Sequence, residues 1–249
     1  ELVSRGAVGA ADPGLRTRER APARAGARRR HRPAADAAPR PWSGGAPAHV
    51  DAAACGRLLF PVPGFWLLAA LAVFAYPRGA AAWGGRATLA LLGLPVLVPP
   101  WLAVLYIRSL PHGELLVIYA IAVIAFADIG AYFAGRAIGG LKLMPRVSPG
   151  KTWAGFAGGM LASLALAAAV GTLAGLGGGR LGAWVAIAGT AALVSVFGDL
   201  LESMVKRHGG QKDSGSLLPG HGGLFDRLDS LTAGLPVLAL GLLQAGSFW

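Results

Sequence analysis

Charged residues are scarce in this chain of 249 residues: they make up 14% of the sequence, whereas soluble domains usually carry about a quarter. Hydrophobic residues make up 54%. An intrinsically disordered chain is excluded, because it could not keep so much apolar surface in water. A soluble core of this size also could not bury all of it beneath a charged surface. The composition therefore predicts an integral membrane protein with several spans.

Cysteine is nearly absent, and several nucleotide and hydrolase motifs are missing. Cys55 is the single cysteine, which excludes a disulfide framework and a cysteine zinc site. The sequence contains no G-x-x-x-x-G-K-[ST] loop and no G-x-S-x-G elbow, so neither a P-loop nucleotidase nor an α/β-hydrolase is supported. The 38 glycines follow no G-x-y period, which excludes collagen.

Acidic residues are few, and the net charge is +11. Much of the excess lies in residues 1–50, where Arg28, Arg29, Arg30 and Arg32 form a cluster without apolar periodicity. We predict a disordered basic tail over residues 1–57; a stretch outside the native reading frame is the alternative. Nucleic acid is not the expected partner, because the rest of the chain is too apolar. The positive charge instead indicates cytoplasmic loops and contact with anionic lipid or substrate.

Six apolar runs follow, and each is close to the roughly 20 residues that cross a bilayer as a helix. They are Leu58–Tyr76, Ala87–Ile107, Leu115–Gly135, Ala154–Leu176, Leu181–Leu201 and Leu231–Phe248. We therefore predict an all-α, polytopic helical bundle with about six spans in a transmembrane catalytic domain of residues 58–249. Gly155, Gly158 and Gly159 predict close helix packing.

Two polar loops, Arg136–Lys151 and Glu202–Ser230, are separated by two spans and should lie on one side of the membrane. Their basic residues make that side cytoplasmic. Six spans would then place the arginine-rich tail outside. Either an upstream span is missing, or one proline-interrupted run (Leu58–Tyr76 or Ala87–Ile107) is re-entrant.

Carboxylates in apolar runs are costly, so Asp128 and Asp199 are candidate functional residues. The alternative is that each pairs with Arg136 or Lys206 at the interface. Glu202 and Lys206 are four residues apart, which predicts an ion pair on a helix surface.

The second loop combines cations, glycines and carboxylates over residues 203–229. Lys206, Arg207 and Lys212 suit phosphates, and the glycines let the backbone wrap a ligand. Asp226 and Asp229, with Asp199 and the Ser203 hydroxyl, offer oxygen ligands to a hard divalent cation. His221 stays open as a base, a metal ligand or a hydrogen bonder. This pattern predicts metal-assisted phosphate chemistry at the bilayer face.

Residues 203–229 resemble the signature of the phosphatidate cytidylyltransferase (CDP-diacylglycerol synthase) family. The pattern reads S-x-x-K-R-x-x-x-x-K-D-S-G-x-x-L-P-G-H-G-G-x-x-D-R-x-D. Upstream, D-I-G-A-Y-F-A-G-R from Asp128, S-P-G-K-T-W from Ser148 and G-D-L-L-E-S from Gly198 are also similar to that family. The resemblance covers about residues 101–249. Ala154 departs from it, because the family usually has an acid two residues after the threonine of its S-P-x-K-T motif.

The resemblance implies that CTP and phosphatidic acid react to CDP-diacylglycerol and pyrophosphate, through attack of the lipid phosphate on the α-phosphorus of CTP. That nucleophile is already ionised, so no strong base such as His221 is required. The implied cofactor is Mg²⁺, with a second cation left open. The implied site residues are Asp199, Asp226, Asp229 and Asp128 for metal, Lys206, Arg207, Lys212, Asp213, His221 and Arg227 for catalysis, and Ser148, Lys151, Thr152, Ser203, Gly222 and Gly223 for substrate.

The implied location is the inner membrane, with a cytoplasmic active site and the bilayer as a partner; a homodimer is left open. Three alternatives remain. A CTP-dependent lipid or isoprenoid-alcohol kinase would also combine spans with a basic loop. A transporter with broken helices would explain the proline-interrupted runs, although no internal repeat is seen. An inactive relative would explain Ala154 and the unusual N-terminus.

Overall fold

The structure is a computed structural model and describes residues 51–211, 214–215, 223 and 225–246. These residues form eight α-helices and one two-stranded antiparallel hairpin. The elements are α1 (Ala52–Leu59), α2 (Val62–Ala75), α3 (Ala80–Trp83), α4 (Arg86–Ser109), α5 (Gly113–Ile138), β1 (Lys142–Met144), β2 (Ser148–Thr152), α6 (Trp153–Leu173), α7 (Gly178–His208) and α8 (Asp229–Ala245). A short 3-10 turn, Phe225–Arg227, precedes α8. The predicted tail lies outside the described residues up to residue 50, and α1 begins six residues before the predicted domain boundary at Leu58.

The predicted apolar runs are helices. Five stretches are long and apolar enough to cross a bilayer: α1 with α2, then α4, α5, α6 and α7. The sixth, α8, has 17 residues and is about 26 Å long at 1.5 Å per residue. The prediction of an all-α polytopic bundle with about six spans is confirmed, and the chain is a multi-pass membrane protein.

Prolines act differently in the first two runs. The first run is divided after Leu59, and α2 begins at Val62 with Pro61 as its N-cap and Pro63 in its first turn. Proline suits a helix start, because the first turn has no intrahelical partner for its N–H groups. The second run is not divided: α4 is one helix of 24 residues, although it contains three internal prolines. The alternative prediction that the run Ala87–Ile107 is re-entrant is therefore wrong.

A β-hairpin occupies the first polar loop, where the sequence predicted no strands. α5 ends at Ile138 and is followed by Gly139 and Gly140, whose φ angles of 65° and 87° favour glycine. β1 and β2 then pair antiparallel, with Lys142 opposite Thr152. The Thr152 side chain accepts a 3.0 Å hydrogen bond from the Gly155 N–H and so caps α6. The hairpin thus leads directly into the next span.

Small residues let α5 and α6 approach at backbone distance. A Cβ at Gly155 would lie 2.8 Å from the Ala131 carbonyl oxygen, and one at Gly158 would overlap Ala134. Ser163 adds a buried 2.7 Å hydrogen bond to the Val123 carbonyl oxygen. The predicted packing role of these glycines is confirmed.

The helix α7 extends past the run predicted from hydropathy. It has 31 residues, which is about 46 Å, whereas the hydrocarbon core of a bilayer is about 30 Å thick. The first residues of the expected loop, from Glu202 to His208, are therefore helical. Near this end, Gly198 packs against the Asp229 backbone at the start of α8. That close contact brings two of the predicted metal ligands, Asp199 and Asp229, together.

Candidate active site

A polar cavity of about 590 Å³ lies between α5, α6, α7, β2 and the turn before α8. Its lining includes Asp128, Lys151, Thr152, Asp199, Asp226, Arg227 and Asp229. All seven were predicted from the sequence as site residues, and they come from both polar loops and from the helices beside them. The structure therefore brings the two loops to one end of the bundle, as the count of spans required.

An ion pair joins the first polar loop to α7 at this cavity. Lys151 Nζ on β2 lies 2.6 Å from Asp199 Oδ2 on α7, and their side chains are only 25% and 28% exposed. Ser203 donates a 3.2 Å hydrogen bond to the other oxygen of Asp199. The sequence offered Arg136 or Lys206 as a partner for Asp199, and the partner is instead Lys151. Spacing along the chain could not identify this pair, because it forms between distant segments.

Asp226 links α7 to two backbone positions that precede α8 in the chain. Its carboxylate accepts hydrogen bonds from Lys206 Nζ at 2.7 Å, from the Gly223 N–H at 2.7 Å and from the Ser214 N–H at 3.1 Å. Desolvation favours the neutral acid, but these donors outweigh it and hold the pKa of Asp226 well below its ordinary value. Asp226 is therefore ionised at neutral pH.

Gly223, predicted to bind substrate, is packed tightly under this carboxylate. It is buried, and a Cβ at this position would overlap Ser214. Its N–H donates to Asp226, so the absence of a side chain lets the backbone approach. Among the described residues, the contact that Gly223 makes is therefore with Asp226.

Glu202 is a charged residue that the sequence analysis left outside the site. Its ion pair with Lys206 forms, at 3.3 Å, but the two side chains are only 6% and 18% exposed. The prediction of a pair on the helix surface is wrong on this point, because α8 and the segment before it cover this face of α7. Both carboxylate oxygens of Glu202 are buried without a hydrogen bond from any described residue. The sequence feature that could have indicated this buried residue is its position directly after an apolar run.

The start of α8 is tied to α5 beside the cavity. The Ser230 hydroxyl lies 3.4 Å from Asp128 Oδ1, and the Ser230 N–H donates to Asp229 Oδ1 at 2.7 Å. Asp128 and Asp229 consequently share a neighbour, although 101 positions separate them in the chain. The predicted cluster of acidic residues thus includes Asp128 from α5, Asp199 from α7 and Asp229 from α8.

Arg136 also lines the cavity; the sequence analysis named it only as a basic loop residue and as a possible partner of Asp128 or Asp199. It donates a 3.1 Å hydrogen bond to the Tyr132 hydroxyl, one turn earlier on α5. Both residues belong to the motif that begins at Asp128, and this motif could have identified Arg136 as a site residue from the sequence. Arg136 adds positive charge beside the acidic group.

The other predicted residues have more varied positions. Thr152 is buried and uses its hydroxyl oxygen to cap α6, while Ser148 is half-buried on β2 and does not line the cavity. Arg207 is exposed, and its Nε donates to the Val147 carbonyl oxygen at 3.5 Å, which links the end of α7 to the hairpin. The remaining predicted residues, Lys212, Asp213, His221 and Gly222, lie outside the described residues.

The donor chemistry of the cavity fits Mg²⁺. Asp128, Asp199, Asp226 and Asp229 all offer carboxylate oxygens to one space, and Mg²⁺ prefers oxygen ligands. No three acidic, histidine or cysteine side chains in the described part of the chain form a ready-made metal cage. Mg²⁺ commonly uses one or two carboxylates and completes its shell with water and substrate phosphates, so a preformed cage is not needed.

A second cavity lies between α2, α4 and α7. It has a volume of about 710 Å³, and apolar side chains such as Trp66, Leu89 and Leu97 line it. Glu202 and Lys206 lie at its polar end. Lys206 contacts Asp226, which lines the first cavity, so this ion pair links the linings of the two cavities.

Comparison with known proteins places this architecture in a family. The profile of the cytidylyltransferase family matches residues 46–243. The phosphatidate cytidylyltransferase of Pseudomonas aeruginosa is 47% identical over 191 residues, which are 77% of this chain and 70% of that protein. The protein of the same name from Haemophilus influenzae is 41% identical over 72% of this chain and 66% of its own length.

A third relative is similar over a shorter range. The phosphatidate cytidylyltransferase of Bacillus subtilis is 43% identical over 136 residues, and this chain spans about half of its length (49%). The family resemblance predicted from the sequence motifs is confirmed: the chain belongs to the cytidylyltransferase family.

Proposed function

We propose that this chain transfers the cytidylyl group of CTP to phosphatidic acid and releases pyrophosphate. The observation that carries the proposal is the polar cavity, where lysine, arginine and aspartate side chains from both loops face one space. A reaction between two phosphate-bearing substrates needs positive charge to hold them and a cation to offset the developing charge. The names of the relatives point to the same substrates.

The acidic residues of the cavity would bind the metal, and its basic residues would bind phosphate. Asp199, Asp226, Asp229 and Asp128 would hold Mg²⁺, which would neutralise charge on the phosphates and on the leaving pyrophosphate when bound. Lys151 and Arg227 line the same space and are placed to bind phosphate oxygens. No described side chain needs to remove a proton, because a phosphate nucleophile is already ionised at pH 7.

The second, apolar cavity supports a lipid substrate. Its lining of α2 and α4 side chains suits acyl chains, and its polar end at Lys206 suits a phosphate head group. The Lys206–Asp226 pair links the linings of the two cavities, because Lys206 lines the apolar one and Asp226 the polar one. The lipid phosphate would thus lie beside the nucleotide.

The location follows from charge. The end of the bundle that carries Lys142, Lys151, Lys206 and Arg207 is strongly basic, and basic ends face the cytoplasm by the positive-inside rule. We therefore place the active site at the cytoplasmic face of the inner membrane, where CTP is supplied. The homodimer stays a prediction.

The decisive experiment follows the labelled phosphates of CTP. Purified chain in detergent is incubated with phosphatidic acid, Mg²⁺ and CTP labelled at either the α- or the γ-phosphorus. The proposal expects the α-label in the lipid and the γ-label in pyrophosphate, with no product once EDTA removes the metal. A γ-label in the lipid would identify a kinase instead, and absence of both products would refute the proposal.

A further inference from the structure

Two of the carboxylates assigned to the metal are already paired with ammonium groups. Lys151 Nζ lies 2.6 Å from Asp199 Oδ2, and Lys206 Nζ lies 2.7 Å from Asp226 Oδ1. The lysines come from different segments, β2 and α7, and both pairs are largely shielded from solvent. Each pair puts positive charge where a divalent cation would otherwise be attracted.

An ammonium group and a metal ion compete for the same oxygen. Mg²⁺ binds oxygen at about 2.0–2.1 Å, so an ammonium that stayed 2.6 Å from Asp199 would lie within a few ångströms of the metal. Repulsion between the two cations at that separation is strong where little water is present. Lys151 therefore competes with a metal ion for Asp199 Oδ2, and binding of the metal to that oxygen requires the lysine to leave it.

We propose that Lys151 is an exchangeable counter-ion: it neutralises Asp199 in the metal-free chain, and it moves to the nucleotide phosphates when the cation arrives. This inference rests on the proposed function. The lysine side chain is a point charge on a flexible four-carbon stem, which suits such a movement. Lys151 also lines the cavity in which the triphosphate would lie.

Lys206 differs from Lys151 in a way that makes it the fixed partner. It contacts Glu202 as well as Asp226, at 3.3 Å and 2.7 Å. If a cation displaced it from Asp226, the buried Glu202 carboxylate would still hold it near its present place. The exchange is thus assigned to Lys151, and Lys206 keeps its position at the end of the apolar cavity.

The test compares metal binding with nucleotide binding in the full chain in detergent. Mn²⁺ alone is titrated and its free concentration followed by electron paramagnetic resonance; CTP with Mg²⁺ is titrated separately by calorimetry. Lys151→Gln should bind Mn²⁺ alone more tightly, by up to about fivefold, since a competing ion pair is lost. The same variant should bind CTP with Mg²⁺ at least about tenfold more weakly, because a phosphate contact is lost.

Lys142→Gln is the matched control. Lys142 lies on the same hairpin, is exposed and does not line the cavity, so this identical change should alter neither affinity. Lys151→Arg keeps the charge and should leave Mn²⁺ affinity near that of the unmodified chain. Thermal unfolding of each variant reports on the fold.

The outcomes separate the inference from the function on which it rests. Opposite shifts in the two titrations support the exchange. Unchanged or weaker Mn²⁺ binding by Lys151→Gln overturns it, because the lysine would then be a phosphate ligand or a structural partner only. If the unmodified chain binds neither Mn²⁺ nor CTP, the proposed function fails and the exchange fails with it.

Discussion

Replacing Asp226 by asparagine tests the role of the best-connected carboxylate in the site. Asparagine keeps the size of the side chain, but it removes the charge and turns one acceptor oxygen into an NH₂ donor. At least one of the hydrogen bonds from Lys206, Ser214 or Gly223 is then lost. Hydrogen bonds to charged groups contribute about 1.5–3 kcal/mol; where that energy positions the residues around Asp226 for the transition state, its loss lowers turnover by about 10- to 150-fold.

Asp226 and Lys206 are only 13% and 18% exposed, so solvent does little to reduce this effect. A larger loss is expected if the carboxylate also binds the cation. The assay is pyrophosphate release from CTP and phosphatidic acid in detergent with Mg²⁺. Thermal unfolding of the bundle should change little, because Asp226 lies in a turn outside the spans.

Asp51→Asn is the control for the loss of a negative charge. Asp51 caps α1 through a 2.9 Å hydrogen bond from the Ala53 N–H, and asparagine caps helices equally well. This variant should retain both the rate and the stability of the unmodified chain. If Asp226→Asn also retained the full rate, the assignment of Asp226 to the active site would be refuted.

Three further predictions concern the bundle and pH. Gly158→Val should lower the thermal unfolding temperature in detergent by the equivalent of about 1–3 kcal/mol through overpacking, whereas Gly182→Ala, which has open space around it, should not lower it. Ser163→Ala should destabilise by about 1 kcal/mol through its lost buried hydrogen bond, and Thr190→Ala, whose hydroxyl bonds within its own exposed helix turn, should cost less. The pKa of Asp226 is lowered by folding, so its stabilisation of the loop is complete above about pH 3.9 and is lost as pH falls below that value. The difference in limited proteolysis between the unmodified chain and Asp226→Asn should therefore be constant between pH 7 and pH 5 and should shrink in stronger acid.

Hydropathy predicted the spans well because hydrophobicity is a property of each local segment. The number of crossings between the loops then placed Lys151 and Asp199 at one end of the bundle before any contact was known. The motifs supplied the same candidates, and the structure brings most of the described ones to one cavity. Fold and family could thus be predicted from the sequence.

Partners and burial could not be predicted in the same way, because they depend on packing between distant segments. The i,i+4 spacing of Glu202 and Lys206 indicated a shared helix face, but it did not reveal that α8 and the turn before it cover that face. Likewise, nothing local marks Lys151 as the partner of Asp199, 48 residues later. The β-hairpin was missed because its strands, of three and five residues, are too short for a periodic pattern.

The extension of α7 beyond its apolar part explains how one helix serves two cavities. Asp199 and Lys206 are seven residues apart, which is close to two helical turns, so they lie on nearly the same face about 10 Å apart. Asp199 lines the polar cavity and Lys206 the apolar one. A loop that began at Glu202, directly after the hydrophobic run, would lose this fixed spacing. The charged end of the helix therefore has to remain helical, and the Glu202–Lys206 pair within it supports that geometry while Asp226 connects the two spaces.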